Sequence, residues 1–342
     1  MNALPSPAVD LLALDIGGAN IKAADGFGWT KTEAFAMWRD WRRLDAALTG
    51  LIADAPRRVV ATMTGEIADC FPSRRAGVEH IVAALTSATR TASVGIYTTD
   101  GRIVSPEDAI RDPLAVAASN WHAVARLAAS LAPTSRTLLI DIGSTTTDII
   151  PLEDGKPTPR ANDDMGRLAS GELVYTGMER TPIAAIVRSL PQRGIRRAVV
   201  SELFARSQDA WLMLGGLPED SSCTDTADGG PATRDAARIR LARTMLLEPE
   251  EFTLDDALAA AERIAAAQTR QVTQAVRRVA RRTGWEPTAI VFSGHGGLLA
   301  RRLLAGLPRT LLTIDVQDYL SPAVSRVAPA HALALIARGT LR

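Results

Sequence analysis

A two-domain α/β protein built from related halves is the fold that this sequence predicts, and three observations predict it. Leu11-Leu12-Ala13-Leu14-Asp15-Ile16-Gly17-Gly18 is an apolar strand that ends in an aspartate and a glycine turn. Thr137-Leu138-Leu139-Ile140-Asp141-Ile142-Gly143-Ser144 repeats this design 126 positions later. A third apolar run, Ala289-Ile290-Val291-Phe292, leads directly into Ser293-Gly294-His295-Gly296-Gly297. A buried strand that delivers a carboxylate to its end, next to a turn with little side-chain bulk, sets backbone N–H groups beside a fixed negative charge. That combination suits a metal-bound phosphate.

Each aspartate strand continues into a second strand with no helix signal between them. Asn20–Ala24 follows the first and ends at the turn dipeptide Asp25-Gly26; Thr147–Leu152 follows the second and ends at Asp154-Gly155. Both glycine turns therefore lie inside β-hairpins, which separates the chain from dinucleotide-binding βαβ units. The spacing of Leu114, Ala118, Trp121, Ala125, Ala128 and Leu131 predicts one helix from Asp112 to Ala132. A longer helix is predicted from Thr253, with Asp255 and Asp256 in its first turn, to Arg282 before Gly284. Its buried stripe is Leu254, Leu258, Ala261, Ala265, Gln268, Val272, Ala275 and Val279. A last helix from Pro329 to Arg338, stopped by Gly339, is expected to cross back onto the first domain. The segment from Ser221 to Pro231 reads as a polar loop.

The chain has 342 residues, 46% of them apolar and 23% charged, and a net charge of +1. It is long enough for two cores and too evenly charged for a general nucleic-acid binder. Two cysteines, Cys70 and Cys223, provide neither a disulfide framework nor a zinc site. The first residues, Met1 to Pro7, lack a basic leader pattern, and no apolar run is long enough to span a bilayer, so a cytoplasmic protein without a membrane segment is expected. Lysine occurs only at positions 22, 31 and 156, which draws attention to Lys22 beside the first glycine turn.

Two aspartate hairpins and a late glycine loop resemble the acetate and sugar kinase, heat-shock ATPase and actin superfamily. That resemblance implies two ribonuclease H-like domains with an interdomain cleft: residues 1–135 with 325–342, and 136–324 with a helical insertion. A narrower resemblance covers nearly the whole chain. Asp15–Asn20, Thr62–Phe71, Asp141–Pro151, Gly171–Gly177 with Arg180-Thr181-Pro182, and Thr226–Gly230 occur in this order. Together they are similar to a hydantoinase-related family linked to tetrahydromethanopterin one-carbon transfer, whose archaeal members are the furan-methanamine synthases of methanofuran biosynthesis. Ile21 departs from the small polar residue expected in the first hairpin. The resemblance implies a transferase that joins an aminomethylfuran methyl diphosphate to the phenolic oxygen of γ-glutamyltyramine, or of a tyrosine-type acceptor, and releases diphosphate. It implies small-molecule partners and is compatible with a homodimer.

The roles expected of individual residues follow from this chemistry. Asp15 and Asp141 would hold magnesium, although either could simply cap a strand end. Gly17, Gly18, Lys22, Gly143, Ser144, Thr145 and Thr146 would supply donors to phosphate oxygens, with Gly294, Gly296 and Gly297 as further phosphate-binding positions; Lys22 could also point away. Asp148 would accept a proton, bind metal-bound water, or simply pair within its hairpin. Glu66 could deprotonate the phenol, bind the substrate's amine, or be a surface residue. Tyr175, Arg180 and Asp228 would line the acceptor pocket, Arg180 facing a carboxylate. His295, Cys70, Trp38, Trp41 and Trp121 read as structural, the tryptophans as core. Two alternatives use the same fold: an ATP-dependent small-molecule kinase, and a nucleotide-gated scaffold with little turnover.

Overall fold

The computed structural model describes residues 10–52, 56–89, 92–308 and 310–341. Residues 1–7, from which the absence of a leader is expected, lie outside them. In chain order the strands are β1 (Leu11–Ile16), β2 (Asn20–Ala24), β3 (Thr30–Ala34), β4 (Arg58–Met63), β5 (Ser93–Tyr97), β6 (Ile103–Val104), β7 (Thr137–Ile142), β8 (Thr147–Glu153), β9 (Lys156–Pro157), β10 (Leu173–Val174), β11 (Ser189–Gln192), β12 (Ile195–Ala198), β13 (Ala289–Gly294) and β14 (Leu312–Asp315).

The first sheet runs β3-β2-β1-β4-β5-β6. β1, β2 and β3 form an antiparallel meander, while β4 is parallel to β1 and β5 to β4. The second sheet runs β10-β8-β7-β13-β14, with β9 on β8. Both sheets thus follow the ribonuclease H-like order in which a hairpin sits on one side of the first strand and later strands on the other. The chain divides into two compact units, Met1–Thr137 with Ile150–Arg167 and Ile314–Arg342, and Leu138–Ile149 with Leu168–Thr313.

In the first unit β1 is buried on both faces, as its unbroken apolar run requires. Ile21 pairs with Ile16 across the hairpin and is fully buried, so the residue that departs from the expected pattern is a core residue. The last helix, Ala328–Ala337, packs on β1, β2, β4 and the helix Asn120–Leu131, all within this unit. In the second unit the helix Leu254–Thr283 starts at a Thr253–Asp256 capping box and stops at Gly284 with φ 74°. A separate apolar cluster, including Ile183, Leu212, Leu241, Phe252 and Ile264, forms the core of the helical insertion.

Several expectations are corrected. The helix from Asp112 to Ala132 is two helices, Pro113–Val116 and Asn120–Leu131. The break has a tertiary cause: Ala118 takes φ 50°, and the next residue, Ser119, places its hydroxyl 2.7 Å from that of Thr62 in β4. Leu114 and Leu254, each expected in the buried stripe of its helix, are exposed, and so is Trp38, expected in the core. Cys70 is only partly buried and donates its thiol to the Met37 carbonyl at 3.4 Å.

Candidate active site

The two aspartate hairpins close in the same way. Gly17 N–H donates to Asn20 O at 3.0 Å, and Gly143 N–H to Thr146 O at 2.9 Å. Gly18 O accepts Met37 N–H at 2.9 Å, and its counterpart Ser144 O accepts Glu179 N–H at 2.9 Å. The duplication seen in the sequence is therefore a duplication of backbone geometry, and it extends to the segment that braces each turn.

In the first unit, Asp15 lies opposite Lys22 in β2 and Thr62 in β4. Its carboxylate is 3% exposed. Oδ2 is 3.7 Å from Lys22 Nζ, whereas Oδ1 has no hydrogen-bond partner. Burial pushes the Asp15 pKa up and the Lys22 charge pulls against it. Lys22 thus turns toward the site. A Cβ on Gly17 would stand 2.9 Å from Asn20 O, but Gly18 has open space around it, so Gly18 can let a ligand approach the backbone.

In the second unit, Asp141, Ser144, Thr145, Thr146 and Asp148 are partly exposed at the end of β7 and the start of β8. The late glycines divide into two kinds. A Cβ at Gly294, which has φ 86°, would collide with Ile142 O and stand 3.0 Å from Asp141 Oδ1, and one at Gly296 would collide with the Ile142 side chain. These two glycines let the loop lie against the end of β7, where His295 N–H donates to Ile142 O at 3.1 Å. Gly297 has open space and begins the helix Gly297–Leu304. His295 Nε2 lies 3.2 Å from Glu179.

Arg180 N–H donates to Ser144 O at 3.0 Å, which brings Arg180 to the turn. Gly177 packs against the Ser144 backbone and is held there by Gln268, which donates to Gly177 O at 3.0 Å and to Thr176 Oγ1 at 2.9 Å while accepting from Trp211 Nε1 at 2.9 Å. Gln268 was legible only as a polar interruption of a helical stripe; its function is to brace the second hairpin. Tyr175 is exposed. Asp228 is in the insertion, where its carboxylate meets Arg240 and Arg243.

Glu66 is not at the surface. It sits in the turn Gly65–Ile67 after β4, is 1% exposed, and neither carboxylate oxygen has a hydrogen-bond partner. A Cβ on Gly77 would collide with the Glu66 backbone, so the helix Arg74–Thr89 lies directly against the backbone of this turn. Burial pushes the Glu66 pKa up to about 7, against the pull of its own N–H, Arg74 and the Ala118 N–H and with a further push from Asp164. Below the ordinary value of 4.5 both folded and unfolded states hold the proton. Between 4.5 and 7 only the folded state does, so stability is lost as pH rises through this window, to a total on the order of 3 kcal/mol. Glu66→Gln is therefore expected to unfold at higher urea than the parent at pH 8, with the gap closing toward pH 4.5. An equal gap at both pH values would contradict the assignment.

Among the described residues, no group of three or more His, Cys, Asp or Glu side chains is arranged to hold a metal, and no helix is long and apolar enough to cross a membrane. The family model for hydantoinase/oxoprolinase (Hydantoinase_A) matches residues 57–338. The chain is 30% identical over 327 residues, 95% of its length and 96% of the relative's, to the Methanocaldococcus jannaschii protein named (4-{4-[2-(gamma-L-glutamylamino)ethyl]phenoxymethyl}furan-2-yl)methanamine synthase. It is 29% identical over 207 residues, 60% of this chain and 91% of the relative, to the protein of the same name from Methanococcus vannielii. Among solved structures, the ROK hexokinase from Thermus thermophilus is 14% identical with a TM-score of 0.43, covering 96% of this chain and 99% of that one. With a family match over most of its length and a full-length relative at this identity, the chain belongs to the hydantoinase/oxoprolinase family, alongside the furan-methanamine synthases.

Proposed function

We propose that this protein is a cytoplasmic transferase that joins the methylene of an aminomethylfuran methyl diphosphate to the phenolic oxygen of γ-glutamyltyramine or a tyrosine-type acceptor, in the biosynthesis of a methanofuran-type cofactor. The observation that carries this reading is the 30% identity to a synthase of that product along 95% of the chain. The duplicated hairpin fits the chemistry independently. In the reaction the bond from the furfuryl carbon to the diphosphate oxygen breaks with its electron pair leaving on diphosphate, and the phenolic oxygen bonds to that carbon. The furan ring delocalises the developing positive charge, so the demand on the protein is to hold the departing anion.

In the first unit Gly18 and Lys22 would offer an N–H and a charge to such an anion, and in the second Ser144, Thr145 and Thr146 would offer N–H and hydroxyl donors, with Gly297 adding a further N–H. The N–H groups of Gly17 and Gly143, expected to bind phosphate, instead close their own turns on Asn20 O and Thr146 O, and Gly294 and Gly296 shape the loop. Magnesium is commonly held by one or two carboxylates together with phosphate oxygens; the partnerless buried Oδ1 of Asp15 fits such a ligand, and Asp141 holds the equivalent position in the second hairpin. When bound, the ion would neutralise charge on the diphosphate. Asp148, partly exposed beside the second turn, would take the phenolic proton, and Arg180 would face the acceptor's carboxylate. Tyr175 and Asp228 would belong to the acceptor side.

The test is incubation of the full chain with magnesium, the furfuryl diphosphate and γ-glutamyltyramine, with ether and diphosphate followed by mass spectrometry beside an ATP-hydrolysis control. Ether formation without ATP is expected. Steady ATP consumption with phosphate appearing on a metabolite, and no ether, would overturn the reading in favour of a kinase.

A further inference from the structure

The substrate named above carries a primary amine as well as a diphosphate, and the first unit contains a buried group suited to it. We propose that Glu66 is an ammonium-binding carboxylate, the subsite that recognises the aminomethyl group of the furan substrate; this rests on the synthase reading for the identity of the ligand.

Three features carry the proposal. Both Glu66 oxygens are buried and close no hydrogen bond of good geometry, with the backbone N–H groups of Glu66 and Ala118 bearing on them. Arg74, whose charge favours the ionised form of Glu66, makes its ion pair with Asp164 instead, Nη2 to Oδ2 at 2.6 Å, and Asp164 also lies 3.6 Å from Arg167 Nη1. The guanidinium of Arg167 in turn covers the Trp121 ring at 4.0 Å. Arg74 and Arg167 thus both engage Asp164 rather than pairing with Glu66. Finally, the chain is distorted at this place, since Ala118 adopts φ 50° where the sequence would continue a helix. Its N–H faces the Glu66 carboxylate and favours the charged form without closing a hydrogen bond of good geometry.

A buried carboxylate without a partner is costly when charged. A ligand ammonium supplies the missing charge and up to three N–H donors. It also explains why the turn is built around a glutamate rather than an apolar residue: the cost borne by the empty protein is recovered only when a cation of the right size arrives. The groups that bear on Glu66 are Arg74 and Asp164 from their respective helices and the backbone N–H groups of Glu66 and Ala118. Because the carboxyl titrates near 7, binding of an ammonium near that pH must expel about half a proton per site, and more at pH 6.

The experiment is calorimetric titration of the full chain with furan-2-ylmethanamine alone, at pH 7 and pH 6, in two buffers of different ionisation enthalpy. The parent protein is expected to bind the amine with proton release that grows as pH falls. Glu66→Gln is expected to bind it about 30-fold more weakly or worse and to release no proton. Furan-2-ylmethanol, the neutral isostere, should not distinguish the two proteins. No binding by the parent, equal binding by Glu66→Gln, or proton release that survives the substitution would each overturn the proposal. The ether-forming assay separates this failure from failure of the synthase reading. Amine binding without ether formation leaves the subsite standing and removes the reaction. Ether formation by Glu66→Gln at an unchanged KM for the furan substrate does the reverse. An equal loss of kcat with aminated and amine-free furan diphosphates would make Glu66 a proton acceptor for the phenol, and the subsite would fall.

Discussion

Asp15→Asn is expected to lower ether formation on the order of a hundredfold or more, the range seen when one group that stabilises developing charge is removed, without lowering stability. The two halves of this expectation have separate causes. The carboxylate is buried, with one oxygen partnerless and the other only loosely paired to Lys22 at 3.7 Å. Burial therefore already disfavours its charged form. A neutral amide of the same shape removes that penalty, and Lys22, about a third exposed, remains solvated. Thermal unfolding should show a midpoint equal to or above the parent's, while mass-spectrometric turnover collapses. A variant that folds and keeps full turnover would show that Asp15 only terminates a strand.

Much of the fold was legible because its signals are local. The two hairpins follow from an apolar run, an aspartate and a turn, and the helix Leu254–Thr283 follows from the Thr253 cap and Gly284. The burial of the last helix follows from its alanine- and leucine-rich composition, whereas the strands it packs on, β1, β2 and β4, are set by contacts distant in sequence. What was not legible depends on contacts distant in sequence. Nothing in Asp112–Ala132 breaks a helix, yet Ala118 turns to positive φ beside the Thr62–Ser119 contact. Whether Glu66 is a surface residue or a functional one is not decided by its own turn; Gly77, in the following helix, lies against its backbone and buries it. Lys22 could have faced either way; only the register that pairs it with Asp15 decides. Gly294 and Gly296 read as ligand loops, and the space around them shows that close packing on Ile142 is what requires glycine. A signal for the Gln268 brace was present, since glutamine in the middle of a buried stripe demands partners.

Arg240 had no local signal at all, and its removal is expected to destabilise the insertion strongly. Its guanidinium is fully buried, with Nε donating to Asp209 Oδ1 at 2.8 Å and Nη1 to Asp228 Oδ1 at 3.1 Å and to Pro231 O at 3.2 Å. Asp209 is equally buried; burial pushes its pKa up, and Arg240 is the principal group pulling it down. Arg240→Met keeps the length of the side chain and removes the charge, which leaves Asp209 buried with only the Arg206 N–H at 2.9 Å. Breaking a buried pair in this way costs about 3–5 kcal/mol, measured as a fall in the urea midpoint. The carboxyl then holds its proton to higher pH than in the parent, so the deficit should widen as pH rises through its raised pKa. Adding Asp209→Asn to Arg240→Met should recover a substantial part of the loss, because the cost lies in the uncompensated charge rather than in the lost contacts. Urea curves for Arg240→Met that match the parent would refute the buried pairing. The same geometry bears on the family-like segment Thr226–Gly230. Asp228 Oδ1 is engaged by Arg240 and the Gly230 N–H, and Oδ2 by Arg243. Asp228 thus ties this loop to the helix Arg234–Arg243, and any contact it makes with an acceptor must be made in competition with two arginines.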